Sequence, residues 1–195
     1  AGCSSTHLIS RLTPMTEPLA PLLLDHGLDA IATLQIADGD SVTIVPITKQ
    51  LPDEVARPLA TSIADMDPWK RYQFDPAVIM RFCAPAEASA PRYLVTRKNE
   101  ILGLFALKNG WMFGSYLHIL AILPAGHGHG IGSAVLRWIE ERARANGERN
   151  QFVVTSAFNT RGLALYQRHG YEPIATMPGL INDSESEILL RKRLV

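Results

Sequence analysis

The chain predicts a mixed α/β (α+β) domain: one twisted, mostly antiparallel sheet of six to seven strands with about four helices. Three observations predict it. Short connections join consecutive strand-like runs between Arg92 and Leu123, which makes an antiparallel meander. The last of these runs enters a glycine-rich turn that opens a long amphipathic helix. The next strand-like run follows that helix, so it returns parallel to the strand before it. A length of 195 residues suits one domain, and a hydrophobic fraction of 47% supplies an ordinary core.

The elements follow in chain order. Ser4 to Thr16 lacks periodicity. Glu17 to His26 reads as a short helix, with Leu19, Leu22 and Leu23 clustered and Gly27 as its stop. Ala30 to Ile36 and Ser41 to Ile47 alternate as strands around the hairpin dipeptide Asp38-Gly39. Leu51 to Asp65 reads as a helix with Val55, Leu59 and Ile63 on one face; Pro58 is expected to kink or split it. Asp75 is an N-cap with Pro76 at the first helical position, and the helix carries Val78, Ile79, Phe82 and Cys83 up to Pro85.

Arg92 to Arg97 and Glu100 to Leu107 are strands joined by Lys98-Asn99, and Asn109-Gly110 is expected to turn the chain into a strand from Trp111 to Leu123. The amphipathic helix spans about Gly130 to Asn146, with Ile131, Ala134, Val135, Trp138 and Ile139 inward and Gly147 as its stop. Glu140 and Arg144 are expected to pair on its wet face. Gln151 to Thr155 and Glu187 to Leu194 supply further strands.

Composition narrows the function. Lys+Arg and Asp+Glu both number 19, so no global field favours nucleic acid or an anionic membrane. No apolar run approaches membrane length. Cys3 and Cys83 match no metal spacing, and neither do His118, His127 and His129, so no metal is expected and a reducing cytoplasm is the default. Ala1 to Ser5 reads as a true start or a tag remnant rather than the tail of a lipoprotein leader.

The informative stretch is Tyr116 to Pro124, followed by Ala125 to Ser133. Strand, glycine turn and helix together make a phosphate site, because first-turn N–H groups have no partner inside the helix and carry partial positive charge. A P-loop needs Gly-Lys followed by Ser or Thr, and no lysine is present. A dinucleotide fingerprint needs Gly-x-Gly-x-x-Gly early in a βαβ unit; Gly126, Gly128 and Gly130 are wrongly spaced and late. Gly128-His129-Gly130-Ile131-Gly132 after Pro124 resembles motif A of the GNAT N-acetyltransferase superfamily, with His127 where Arg or Gln is usual. Asn159, Gly162, Tyr166, Gly170 and Tyr171 fall in register with that superfamily's motif B.

The resemblance covers residues 41 to 195, an N-acetyltransferase domain, and leaves residues 1 to 40 as an extension that adds a strand, a lid or a homodimer contact. It implies acetyl-CoA as cosubstrate, held in a splayed gap between two parallel strands. Leu120, Ala121 and Ile122 would pair with the pantetheine. The amides of His127, Gly128, His129, Gly130, Ile131, Gly132 and Ser133 would take the pyrophosphate, with Asn159 and Tyr166 completing the cofactor side. Tyr166 would face the coenzyme sulfur. His118, on a strand similar to that of the arylalkylamine N-acetyltransferases, would be the general base, with Tyr116 holding a water and Glu100 and Glu87 as fallback bases. Trp69, Tyr72 and Phe74 would line an acceptor mouth, and Cys83, on an apolar helix face, is a poor nucleophile. The implied reaction is acetyl transfer to a primary amine of a small molecule, peptide or protein. A non-catalytic acyl-CoA sensor is the reading from another class.

Overall fold

The computed structural model describes residues 28–98 and 100–194, so the helix expected at 17–26 lies outside the described residues. The elements are β1 (Ala32–Gln35), β2 (Ser41–Pro46), α1 (Asp53–Ala64), α2 (Pro76–Met80), β3 (Arg92–Arg97), β4 (Glu100–Trp111), β5 (Gly114–Ile122), α3 (Ile131–Ala145), β6 (Asn150–Ser156), α4 (Thr160–Arg168), β7 (Glu172–Pro178) and β8 (Ser186–Arg193). They build one sheet of eight strands, one or two more than expected, in the order β1-β2-β3-β4-β5-β6-β8-β7. Every neighbouring pair is antiparallel except β5 and β6. Among the described residues no helix is long and apolar enough to cross a membrane.

Each sheet face carries its own core. On one face α3 and Tyr166 of α4 pack Ile131, Val135, Leu136 and Ile139 onto Val42, Ile44, Phe105, Leu117 and Val153. On the other, α1 and α2 pack Val55, Leu59, Ile63 and Ile79 onto Leu94, Leu104, Ile119 and Ala121. The periodicities seen in the sequence account for both faces. Asp75 caps α2 by accepting the Ala77 N–H at 2.8 Å.

The parallel pair is short. β5 and β6 pair only at Gly114↔Asn150, Ser115↔Gln151, Tyr116↔Phe152 and Leu117↔Val153. Beyond that point β5 continues to Ile122 and β6 to Ser156, and the two diverge. The junction begins at a glycine for a steric reason: a Cβ on Gly114 would lie 2.0 Å from the Asn150 carbonyl oxygen.

Three local expectations are corrected. Asn109-Gly110 is not the turn; β4 runs through it to Trp111 with a bulge there, and the turn is Met112-Phe113, with φ of 49° and 60°. The Arg149 N–H donates to the Phe113 carbonyl at 3.1 Å, so contacts with the following strand fix a turn that local preference would place three residues earlier. Pro58 does not split α1, which is continuous from Asp53 to Ala64. The carbonyl it leaves without a helical donor belongs to the exposed Glu54, where water can reach. Glu140 does not lie on a wet face: its side chain is 4% exposed, with Lys192 of β8 at 2.6 Å and Arg144 at 3.9 Å. A cation from the neighbouring strand makes that burial tolerable.

Candidate active site

The gap between β5 and β6 is shaped by a bulge. Ala106 pairs with Ile119 and Leu107 with Leu117, which leaves His118 without a partner on β4. A bulge re-aims the residues beyond it. Leu117 therefore enters the α3-side core and Ile119 the α1-side core. His118 leans toward Phe82, with ring centroids 5.0 Å apart, and toward Tyr116 at 5.7 Å. The two residues meet as expected, but through the bulge rather than by simple alternation.

A cavity of about 1110 Å³ fills the gap. It brings together Tyr116, His118, Leu120, Ile122, His127, Gly128, Gly130, Ile131, Gly132, Ser133, Asn159 and Tyr166. Two expected residues lie off its wall. The Ala121 side chain is buried in the α1-side core. His129 turns away to pair with Asp38 at 2.6 Å and accepts the Ala37 N–H on its carbonyl, tying the β1–β2 hairpin to the glycine loop. That contact with His129 holds the Asp38 carboxyl below its ordinary range. Glu87 and Glu100 are exposed and lie off the wall too, so neither fallback base reaches the gap.

The glycine loop presents backbone donors. α3 begins at Gly130, whose φ of 76° suits glycine, with no side-chain cap. The first hydrogen bond of the helix is from Ala134 N–H to the Gly130 carbonyl, so the amides of Ile131, Gly132 and Ser133 have no helical partner. All three residues line the cavity.

His127 holds the loop in another way. Arg161 of α4 donates to its Nδ1 at 3.0 Å, so its Nε2 carries the proton given to the Ile122 carbonyl at 2.7 Å. A guanidinium thereby stands beside the loop although the loop has no cation of its own. The sequence carried no signal for this pairing, because Arg161 lies 34 positions away. Asn159 caps α4 by accepting the Gly162 N–H at 3.0 Å and donates to Thr155 Oγ1 at 3.0 Å. Tyr166 is buried on α4 and packs on Tyr171 at 5.8 Å. Burial, then the nearby Tyr116, raises its hydroxyl well above the ordinary phenol range, so it keeps its proton.

The opposite wall is aromatic. Trp69, Tyr72 and Phe74, from the α1–α2 connection, line it with Phe82 and Phe158. Leu180 and Ile181, both exposed, stand at its mouth on the β7–β8 loop. Tyr72 donates to the Glu187 carboxylate, and Arg71 pairs with Glu185 at 2.5 Å. Burial first, then Glu187, pushes the Tyr72 hydroxyl up to about 12. Burial first, then the charges of Lys108 and Arg92, lowers His118 below the ordinary imidazole value. Cys83 is buried, which pushes its thiol up to about 11 and makes it inert.

The mixed sheet thus opens between its parallel strands, with helix-terminal amides on one side and the Tyr166 side chain in the wall. The chain belongs to the acetyltransferase (GNAT) family, whose profile matches residues 56–171. The GNAT domain of S. lividans PAT is similar at 18% identity over 83% of this chain and 96% of that one, with a TM-score of 0.63. A GNAT family acetyltransferase from Elizabethkingia anophelis, solved with acetyl-CoA bound, is 22% identical over 78% and 97%, with a TM-score of 0.59. The ribosomal-protein-S18-alanine N-acetyltransferase from Escherichia coli is 13% identical over 78% and 94%, with a TM-score of 0.60. At these identities the likeness is one of fold. No curated protein matches.

Proposed function

We propose that the protein moves an acetyl group from acetyl-CoA directly to a primary amine of a small molecule, peptide or protein. One observation carries the reading: the uncapped start of α3, the stretch of β5 that β6 leaves unpaired and the Tyr166 side chain all open into a single cavity. Residues 41–195 form the acetyltransferase domain on this reading, and residues 28–40 add β1 at its edge.

The residues divide the work. The amides of Ile131, Gly132 and Ser133 hold the diphosphate, and the free edge of β5 offers the backbone of Leu120 and the Ile122 N–H to the thioester arm; Ala121, between them, faces β4, and the Ile122 carbonyl is held by His127. Tyr166 donates to the sulfur as the thiolate leaves. A free thiol titrates near ~8.5 and Tyr166 lies above ~10, so the tyrosine stabilises the charge by hydrogen bonding and keeps its proton. His118 takes the amine proton. An alkylamine with a pKa near ~10.4 requires about 4–5 kcal/mol to free its lone pair at neutral pH, and a neutral imidazole on the bulge can accept that proton.

Two outcomes follow. His118→Ala is expected to lower kcat/KM by about 10²-fold. In the wild-type enzyme the acid limb of kcat/KM should lie below the ordinary imidazole value, because His118 must be unprotonated and its pKa is depressed; in the variant that limb should vanish. An unaltered limb in a pH–rate profile would end its candidacy. Arg161→Ala is expected to raise the dissociation constant for coenzyme A by about tenfold, since the guanidinium that stands beside the anion loop and holds His127 is lost. Adding His127→Arg should recover part of that affinity by calorimetry.

The proposal itself is tested by following thiol release from acetyl-CoA against an amine panel. Release that depends on both amine and Tyr166 supports transfer. Tight binding of acetyl-CoA with no release for any amine would instead favour the sensor.

A further inference from the structure

The described core holds two buried glutamates, Glu140 and Glu187, and they are handled differently. Glu140 is paired with Lys192 and Arg144 and does not line the cavity. Glu187 is 2% exposed, lines the cavity, and accepts a hydrogen bond from the Tyr72 hydroxyl. Among the described residues no lysine or arginine forms an ion pair with it. The arginines that line the cavity, Arg81, Arg92, Arg161 and Arg168, make no ion pair with it, and Arg71, outside the lining, is committed to Glu185 and to the face of Phe158, 4.2 Å from its centroid.

A buried carboxylate without a cation is costly, and the cost falls when a ligand supplies the charge. Its position fits an incoming amine. Glu187 pairs with Ser156 at the end of β6, past the point where β5 and β6 part. Tyr72, from the connection between α1 and α2, covers it, and those helices pack on the sheet face opposite α3. Burial, and then the Glu187 charge, also keeps the Tyr116 hydroxyl protonated, so Glu187 acts on the same chamber as the His118–Tyr116 pair. The surrounding faces of Trp69, Tyr72, Phe74 and Phe158 suit both a cation and an apolar skeleton.

We propose that Glu187 is the recognition residue for the acceptor, and that the acceptor enters as a monocationic ammonium on an apolar or aromatic skeleton. This rests on the acetyl-transfer reading and names the substrate class for it. Glu187 selects and orients the ammonium; the proton is then lost to His118 before attack.

The test uses two isomers, phenethylamine and 4-ethylaniline, the first cationic and the second neutral near pH 7. Each is titrated calorimetrically into the full chain saturated with coenzyme A, and each is assayed for thiol release with acetyl-CoA. The expected result is that the wild-type protein prefers phenethylamine. Glu187→Gln, which keeps an acceptor for Tyr72, should weaken phenethylamine binding about tenfold or more. It should leave 4-ethylaniline and coenzyme A within about twofold. Equal binding of the isomers by the wild type overturns the proposal, and so does an unchanged phenethylamine affinity in Glu187→Gln. The wild-type preference stands as a readout even if the variant folds poorly. Glu187-dependent binding without thiol release would sustain this site while removing the transfer reading. Thiol release indifferent to Glu187 would do the reverse.

Discussion

Placing aspartate at Gly130 is expected to weaken coenzyme A binding by about 100-fold. The new carboxylate would open α3 among the amides that face the diphosphate. Two like charges about 5 Å apart at an effective dielectric near 20 repel by about 3 kcal/mol, which corresponds to roughly that factor. A second penalty falls on stability. Gly130 has φ of 76°, and a Cβ there would lie 3.0 Å from the Ala37 side chain of the β1–β2 hairpin. A non-glycine residue in that conformation costs about 1–2 kcal/mol. Gly130→Ala separates the effects: it carries the strain without the charge. It should lower the melting temperature by a few degrees and change the dissociation constant far less. A normal constant for Gly130→Asp by calorimetry would remove the start of α3 as the anion site.

Tyr166→Phe is expected to lower kcat by about 10²-fold, the usual loss when one preorganised donor to a developing anion is removed. The apparent KM for acetyl-CoA should stay within about twofold, because the phenyl ring keeps the packing on Tyr171 and no phosphate contact changes. The hydroxyl stays protonated through the neutral range, so the wild-type alkaline limb should not belong to Tyr166. Single-turnover measurement at saturating cosubstrate isolates the step. An unchanged rate there would take the tyrosine out of the chemistry.

Much of this architecture was legible in the chain, and the reason is local. The α3 stripe, the glycine loop, the Asp75 cap and the return of β6 each depend on residues near one another in sequence. The failures have the opposite character. Asn109-Gly110 is an excellent hairpin dipeptide, yet the turn moved to Met112-Phe113 because Gly114 must sit against Asn150 from a later strand. Glu140 and Arg144 looked solvent-facing from helical spacing alone, but Lys192 comes from 52 positions away. His118 was read by period-two alternation, and a bulge set by the β4 register re-aimed it. Glu187 showed no motif at all: its importance comes from burial beside Tyr72, 115 positions apart. Chemistry held by distant partners leaves no periodic trace.

The four pairs between β5 and β6 have a mechanical consequence. They are the only ladder joining a plate of five strands to a plate of three in the described sheet. An elongated guest lying along the free edge of β5 would act as a stitch across that seam. The amide protons of Leu120 and Ile122, which face that edge while alternate amides are tied to β4, would then exchange with deuterium more slowly once the guest is seated, and the two plates would melt together at a higher temperature.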